Sequence, residues 1–178
     1  MQKPNIVFIL IDDMGWKDLS CYGSGFYETP NIDRLAREGM QFSNAYASCP
    51  VCSPTRASIL TGKYPARVGI TNYIYGREKG RVLDVPYLDH LPLEEYNIAR
   101  ALKAGGYRTW HVGKWHLGEG EFMPEKQGFD VNIGGGRWGA PRTYFSPWKL
   151  DTLPEGKKDG EYLTDRLTDE AIRLIEAS

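Results

Sequence analysis

The longest uninterrupted apolar run in the chain, residues 6–11, leads straight into two adjacent aspartates, Asp12 and Asp13. Short, rich in β-branched residues and apolar on both faces, it predicts a buried central strand of a parallel sheet over residues 5–11. It falls far below the ~20 apolar residues that a membrane-spanning helix requires, so no membrane partner is expected. It is no signal peptide either, because acidic residues follow it in place of a small-residue cleavage site. The chain is therefore cytoplasmic as it stands or the mature form of an exported protein.

Helices are expected to follow. Thr29 and Pro30 open one, Ile32, Leu35 and Ala36 give it an apolar face, and Gly39 stops it. Residues 40–47 read as a second strand or an extended connection. A short helix fits residues 54–61, with Ser53 as its cap and Gly62 as its terminator. Another fits residues 93–104 with Gly105 beyond it, and residues 107–112 follow as a strand. Residues 126–158, rich in Gly, Pro and aromatics and including Gly134, Gly135 and Gly136, read as a long surface excursion. Leu163, Leu167, Ala171, Leu174 and Ile175 recur at helical spacing across residues 161–177. Strands alternating with helices imply an α/β sheet. The last helix has no strand after it, which predicts a chain truncated on its C-terminal side.

At 178 residues the chain has room for one domain with a real core, and its 41% hydrophobic content excludes a disordered polymer. A net charge of −1 argues against a general nucleic-acid partner while allowing one local cationic pocket. Three cysteines are too few for a disulfide scaffold.

Three clusters carry potential chemistry. Asp12 and Asp13 stand at the carboxyl end of the first expected strand, where open α/β sheets bind ligands. Adjacent carboxylates repel, a bound cation relieves the repulsion, and oxygen donors favour Ca²⁺ or Mg²⁺; the alternative is an acidic loop. The stretch Cys52-Ser53-Pro54-Thr55-Arg56 sets a cysteine just before a helix N-terminus. Backbone N–H groups and the helix dipole there favour an anion, and Arg56 could grip a tetrahedral oxyanion. The bland alternative is a buried cysteine beside a solvated arginine. The third cluster, Gly113-Lys114-Trp115-His116-Leu117-Gly118, would direct Lys114 and His116 to one face if its backbone stays extended. Together they could bind an anion, and His116 could donate a proton. The alternative here is a strand-end loop with a snorkelling lysine, and His90 and His111 are expected to be structural. Cys49 and Cys52 also form a C-x-x-C pair, but no second pair completes a zinc site. A redox pair normally opens a helix with its first cysteine, which Pro54 places too late for Cys49.

In this order the clusters resemble the sulfatase family. The resemblance rests on residues 5–16 (NIVFILIDDMGW), 29–39 (TPNIDRLAREG), 52–62 (CSPTRASILTG) and 113–118 (GKWHLG). It covers residues 5 to about 130 closely, and the tail only loosely. It implies an alkaline-phosphatase-like α/β sandwich with a mostly parallel central sheet, of which residues 1–178 would be the N-terminal portion of a single catalytic domain. It also implies hydrolysis of sulfate monoesters, aryl sulfates or sulfated carbohydrates. Cys52 matches the position that a maturation enzyme oxidises to formylglycine by reading C-x-P-x-R, here with Pro54 and Arg56. Asp12, Asp13 and the modified Cys52 match Ca²⁺ ligands. Arg56 would steady the formylglycine hydrate, and Lys114 and His116 would line the sulfate pocket. The hydrate would supply one hydroxyl to attack sulfur and a second to expel sulfate, which a serine could not do.

The further Ca²⁺ ligands and the later His and Lys of the family pattern have no match here, and two carboxylates fall short of the about 6 to 8 oxygens Ca²⁺ takes. The isolated chain is therefore expected to be weakly active or inactive, and poorly soluble. The alternatives are a phosphate or phosphonate monoester hydrolase of the same fold, or a non-catalytic remnant. Trp138, Tyr144, Phe145 and Trp148 could stack on sugar rings, with Arg137 and Arg142 meeting further sulfates, but packing between segments is the reading placed ahead.

Overall fold

The computed structural model describes residues 3–76, 80–83, 85–156 and 158–178. The chain divides into two compact units, Met1–Tyr46 and Ala47–Ser178.

In the first unit, helix α1 spans Pro30–Glu38, with Thr29 before it and Gly39 after it, as the sequence predicts. The Thr29 hydroxyl does not cap the helix. It donates to Asp33 at 2.9 Å and accepts from the Ser20 N–H at 3.0 Å. Asp33 also accepts from the Ser20 hydroxyl at 2.7 Å and the Cys21 N–H at 3.0 Å. These donors, Ser20 foremost, hold its carboxyl below the ordinary range. Ile32, Leu35 and Ala36 do share a face, and with Leu19, Met40 and Phe42 they line an open apolar cleft.

Residues 5–11 form no strand, contrary to expectation. A strand exists only through its ladder, and no segment among the described residues pairs with this one. Its side chains are exposed on both faces, Phe8 at 67% and Ile9 at 71%. Residues 40–47 are a connection without regular structure.

The second unit contains α2 (Cys52–Thr61), α3 (Pro65–Val68), α4 (Ile98–Ala104), β1 (Trp110–Val112), β2 (Val131–Ile133) and α5 (Leu163–Glu176). Strands β1 and β2 pair in parallel, with Trp110 opposite Val131 and Val112 opposite Ile133. Such a pair needs a crossover, supplied here by residues 113–130 and their two short 3₁₀ turns, Gly120–Phe122 and Pro124–Gln127.

Several boundaries differ from the sequence expectation. Helix α2 begins at Cys52 rather than Pro54, so Ser53 lies inside it and Val51 is its N-cap. Gly62 ends it in the left-handed conformation at φ 68°. Helix α4 begins at Ile98 rather than residue 93, because the Asn97 side chain accepts the Arg100 N–H at 3.1 Å and sets the start there. Strand β1 is three residues long, not six. The supposed surface excursion contains β2, and Trp148 within it is only 1% exposed. Trp148 and Leu153 pack with Ile133, Leu163 and Leu174, which seats α5 against β2.

The other core positions the site. Ala57 of α2 packs with Ile70, Ile74, Leu91, Trp115 and Leu117. Burying side chains of this size stabilises by about 2 kcal/mol each, so the start of α2 and the loop after β1 are held in fixed register. No helix among the described residues is long and apolar enough to cross a membrane.

Candidate active site

Two of the three predicted clusters lie in the second unit, and the structure brings them together. Cys52 is the first residue of α2, and Arg56 follows one helical turn later on the same face. Cys52 Sγ lies 3.2 Å from His116 Nδ1, and His116 Nε2 lies 3.1 Å from the Ile74 carbonyl oxygen. A carbonyl can only accept, so Nε2 carries the proton and donates it. In the neutral ring, Nδ1 is then a lone pair facing the side chain at position 52.

The backbone beneath this pair does not stay extended, which was the condition for Lys114 and His116 to share one face. His116 sits at φ 56°, a left-handed conformation that costs a non-glycine residue about 1–2 kcal/mol. Surrounding contacts hold it there. The His116 N–H donates to the Gly136 carbonyl at 3.1 Å. Its carbonyl accepts the Ser53 hydroxyl at 2.9 Å, and that hydroxyl in turn accepts the Ile74 N–H at 3.0 Å. Arg56 Nη1 donates to the Lys114 carbonyl at 2.5 Å, which fastens α2 to the same loop. His116 is 4% exposed, while Cys52, Arg56 and Lys114 are partly open to solvent. The consequence of the turn is that His116 faces Cys52 while Trp115 and Leu117 enter the core.

Three contributors escaped the sequence reading. The sequence makes Ser53 a cap, whereas its hydroxyl bridges His116 and Ile74. Gly136 and Gly139 belong to a glycine-rich stretch read as surface, yet both touch His116. The glycine clustering was the available signal.

His111 is structural, as expected. It lies edge-on to Trp115 and Phe129, at 5.2 and 5.4 Å between ring centroids. Burial pulls its pKa down to about 4; the Asn132 amide opposes that shift, and the Arg56 charge adds to it. The Lys114 backbone also opposes the shift, and burial prevails as the largest of these contributions. Cys49, Cys52 and Cys21 are all free thiols, so the C-x-x-C pair is not a disulfide.

The third cluster lies in the first unit. Asp12 and Asp13 are exposed, and Asp13 has φ 57°. Their oxygen donors suit Ca²⁺ or Mg²⁺ in type. Among the described residues, however, no group of three or more His, Cys, Asp or Glu side chains gathers as a metal site would.

Comparison with known proteins decides the family. The sulfatase family model matches residues 4–178. This chain belongs to the sulfatase family. It is 44% identical to the N-acetylgalactosamine-6-sulfatase of Sus scrofa over 157 residues, covering 86% of this chain and 28% of that protein. With human arylsulfatase A it shares 43% identity over 137 residues, 75% of this chain and 25% of that one. Among solved structures, Ps i-CgsB in complex with k-i-k-neocarrahexaose superposes with a TM-score of 0.78 at 32% identity, covering 99% of this chain and 42% of that one. A second was solved with its substrate D-glucosamine-2-N,6-O-disulfate; it gives a TM-score of 0.71 at 30% identity, over 99% of this chain and 32% of that one. The fold is thus the alkaline-phosphatase-like α/β fold of sulfatases, and the chain spans less than half the length of these relatives.

Proposed function

We propose that this sulfatase-family chain carries the nucleophile-bearing part of a sulfuric ester hydrolase whose substrates are sulfated carbohydrates. The observation that carries the reading is Cys52 at the first position of α2, 3.2 Å from an acceptor nitrogen of His116. Two relatives with sugar ligands in their solved complexes support the substrate class. The continuous family match over residues 4–178 supports one catalytic domain as the setting.

A sulfate monoester is anionic, so the site must offset charge before any nucleophile can approach sulfur. The N-terminus of α2 contributes about half a positive charge at Cys52. Arg56 adds a guanidinium, fastened to the Lys114 carbonyl through one donor, and Lys114 adds an ammonium. His116, with Nε2 committed to Ile74, can take up or return a proton at the position-52 atom through Nδ1.

A formylglycine generated from Cys52 by a maturation enzyme would supply, as its hydrate, one hydroxyl to attack sulfur and another to expel sulfate. The Cys52-x-Pro54-x-Arg56 order is the recognition pattern for that enzyme. Asp12 and Asp13 would hold Ca²⁺ or Mg²⁺, which supplies further charge neutralisation. Two carboxylates are fewer donors than Ca²⁺ requires, so weak metal affinity is expected of the chain alone.

The test compares aryl sulfate with aryl phosphate turnover by protein produced together with a formylglycine-generating enzyme. The expected result is weak sulfate hydrolysis that disappears in Cys52→Ala. A preference for phosphate by orders of magnitude, or turnover that survives Cys52→Ala, would overturn the reading.

A further inference from the structure

Residues 136–139 are fastened to His116 at both ends. The Gly136 carbonyl holds the His116 N–H, and Gly139 lies so close to the imidazole that a Cβ there would stand 2.6 Å from Cε1. Between these two glycines stand Arg137 and Trp138, and Trp138 is 45% exposed. Trp138 is thus one Cα step, about 3.8 Å, from the residue that touches the histidine facing Cys52.

The side chains around this indole form a charged and aromatic platform. The Arg137 guanidinium carbon lies 4.1 Å from the centroid of the Trp138 rings, and that of Arg142 lies 5.6 Å away. Glu119 pairs with Arg137 at 2.9 Å and also accepts the Tyr75 hydroxyl at 3.2 Å. Glu119 thus engages one of the two guanidinium groups, with the Asp89 carboxylate near enough to act on Glu119 and Tyr75 through its charge. Among the described residues Arg142 has no acidic partner at ion-pair distance, while its guanidinium lies against the Trp138 rings. An exposed indole offers an apolar wall for the C–H face of a pyranose, and a guanidinium fork matches the oxygens of a sulfate or carboxylate.

We infer that Trp138 and Arg142 form a subsite beside the Cys52–His116 pair for a sugar ring bearing a second oxyanion, with Arg137 braced by Glu119 and Tyr75. The inference rests on the sulfuric ester hydrolase reading and narrows its substrate class to sugars that carry an anionic group besides the scissile sulfate. Glu119 fixes which arginine does the gripping, because it occupies Arg137 and leaves Arg142.

Equilibrium binding tests this without requiring turnover. Titrations followed by tryptophan fluorescence and calorimetry would use glucosamine 6-sulfate, glucosamine 2-N,6-O-disulfate and a 6-sulfated disaccharide containing a uronate. The expected result is that at least one doubly anionic sugar binds about tenfold more tightly than the monosulfate, the factor one charge-assisted hydrogen bond contributes. Which of the two gains identifies the second oxyanion as sulfate or carboxylate. Arg142→Ala should abolish that gain and Arg142→Lys should recover part of it, with thermal melting confirming that both variants fold. Equal affinity for all three sugars in the wild type, or a gain that persists in Arg142→Ala, would overturn the subsite. Aryl sulfate turnover by the wild type reports on the hydrolase reading separately. Selective sugar binding by protein whose turnover survives Cys52→Ala, or prefers aryl phosphate by orders of magnitude, would overturn that reading and leave the subsite standing.

Discussion

Ser53 has its hydroxyl buried and committed on both sides, donating to the His116 carbonyl and accepting the Ile74 N–H. Ser53→Ala leaves two buried backbone groups unpaired, and the expected loss is about 2 kcal/mol of stability, read from urea unfolding. An unchanged midpoint would show that the bridge contributes nothing. His111 makes a pH-dependent contribution of known sign. Its folded pKa, about 4, lies below the ordinary value of 6.5, so between these pH values the unfolded chain binds a proton that the folded chain refuses. The stability is complete above pH 6.5 and is lost as the pH falls toward 4, by about 3 kcal/mol in all. Comparing wild type with His111→Phe at pH 7 and pH 5 isolates this contribution from the carboxylates, and parallel curves would contradict it. At this scale the sequence names Cys52, Arg56, Lys114 and His116 as candidates from residue type and spacing, and the structure brings Cys52 to His116 and Arg56 to the Lys114 carbonyl. Ser53 was not legible, because nothing in its neighbours announces a hydrogen bond to a residue sixty-three positions away.

The irregular segment 136–139 clamps His116 from both of its ends. Gly139→Ala would drive a methyl group into the imidazole, since the Cβ position lies 2.6 Å from Cε1 and 3.1 Å from both ring nitrogens. The ring must then leave the Cys52 thiol. The expected outcome is a changed His116 imidazole NMR signal together with a stability loss of about 1–3 kcal/mol, the range for overpacking. Spectra that superpose on the wild type would contradict the clamp. Helix boundaries show how local chemistry reads and where it fails. Gly39 and Gly62 end α1 and α2 as expected, because a terminator acts within its own turn. The start of α4 depends on Asn97 acting as a cap, a local signal that a helix fitted from residue 93 runs straight through. Strand β2 is not legible because three residues ahead of a glycine run carry no period of their own; only pairing with β1 makes Val131–Ile133 a strand.

At the scale of the whole molecule, the α/β class and the family were both legible, the first from alternation and the second from four motifs in order. The buried first strand was not realised. Ile6, Val7, Phe8 and Ile9 are each more than half exposed, because burial requires neighbouring strands that no described residue provides. An exposed apolar segment of this kind promotes association. Sedimentation of the chain should therefore show concentration-dependent self-association, reduced in a Phe8→Lys, Ile9→Asp variant. A monodisperse monomer across the micromolar range would contradict this. The central claim is that position 52 bears the nucleophile of a sulfuric ester hydrolase. Its most direct test is a peptide map of residues 38–56 from protein made in the presence of a formylglycine-generating enzyme. The account predicts an aldehyde at position 52, trapped by hydrazine reagents and absent from Arg56→Ala; an unmodified thiol under those conditions would contradict it.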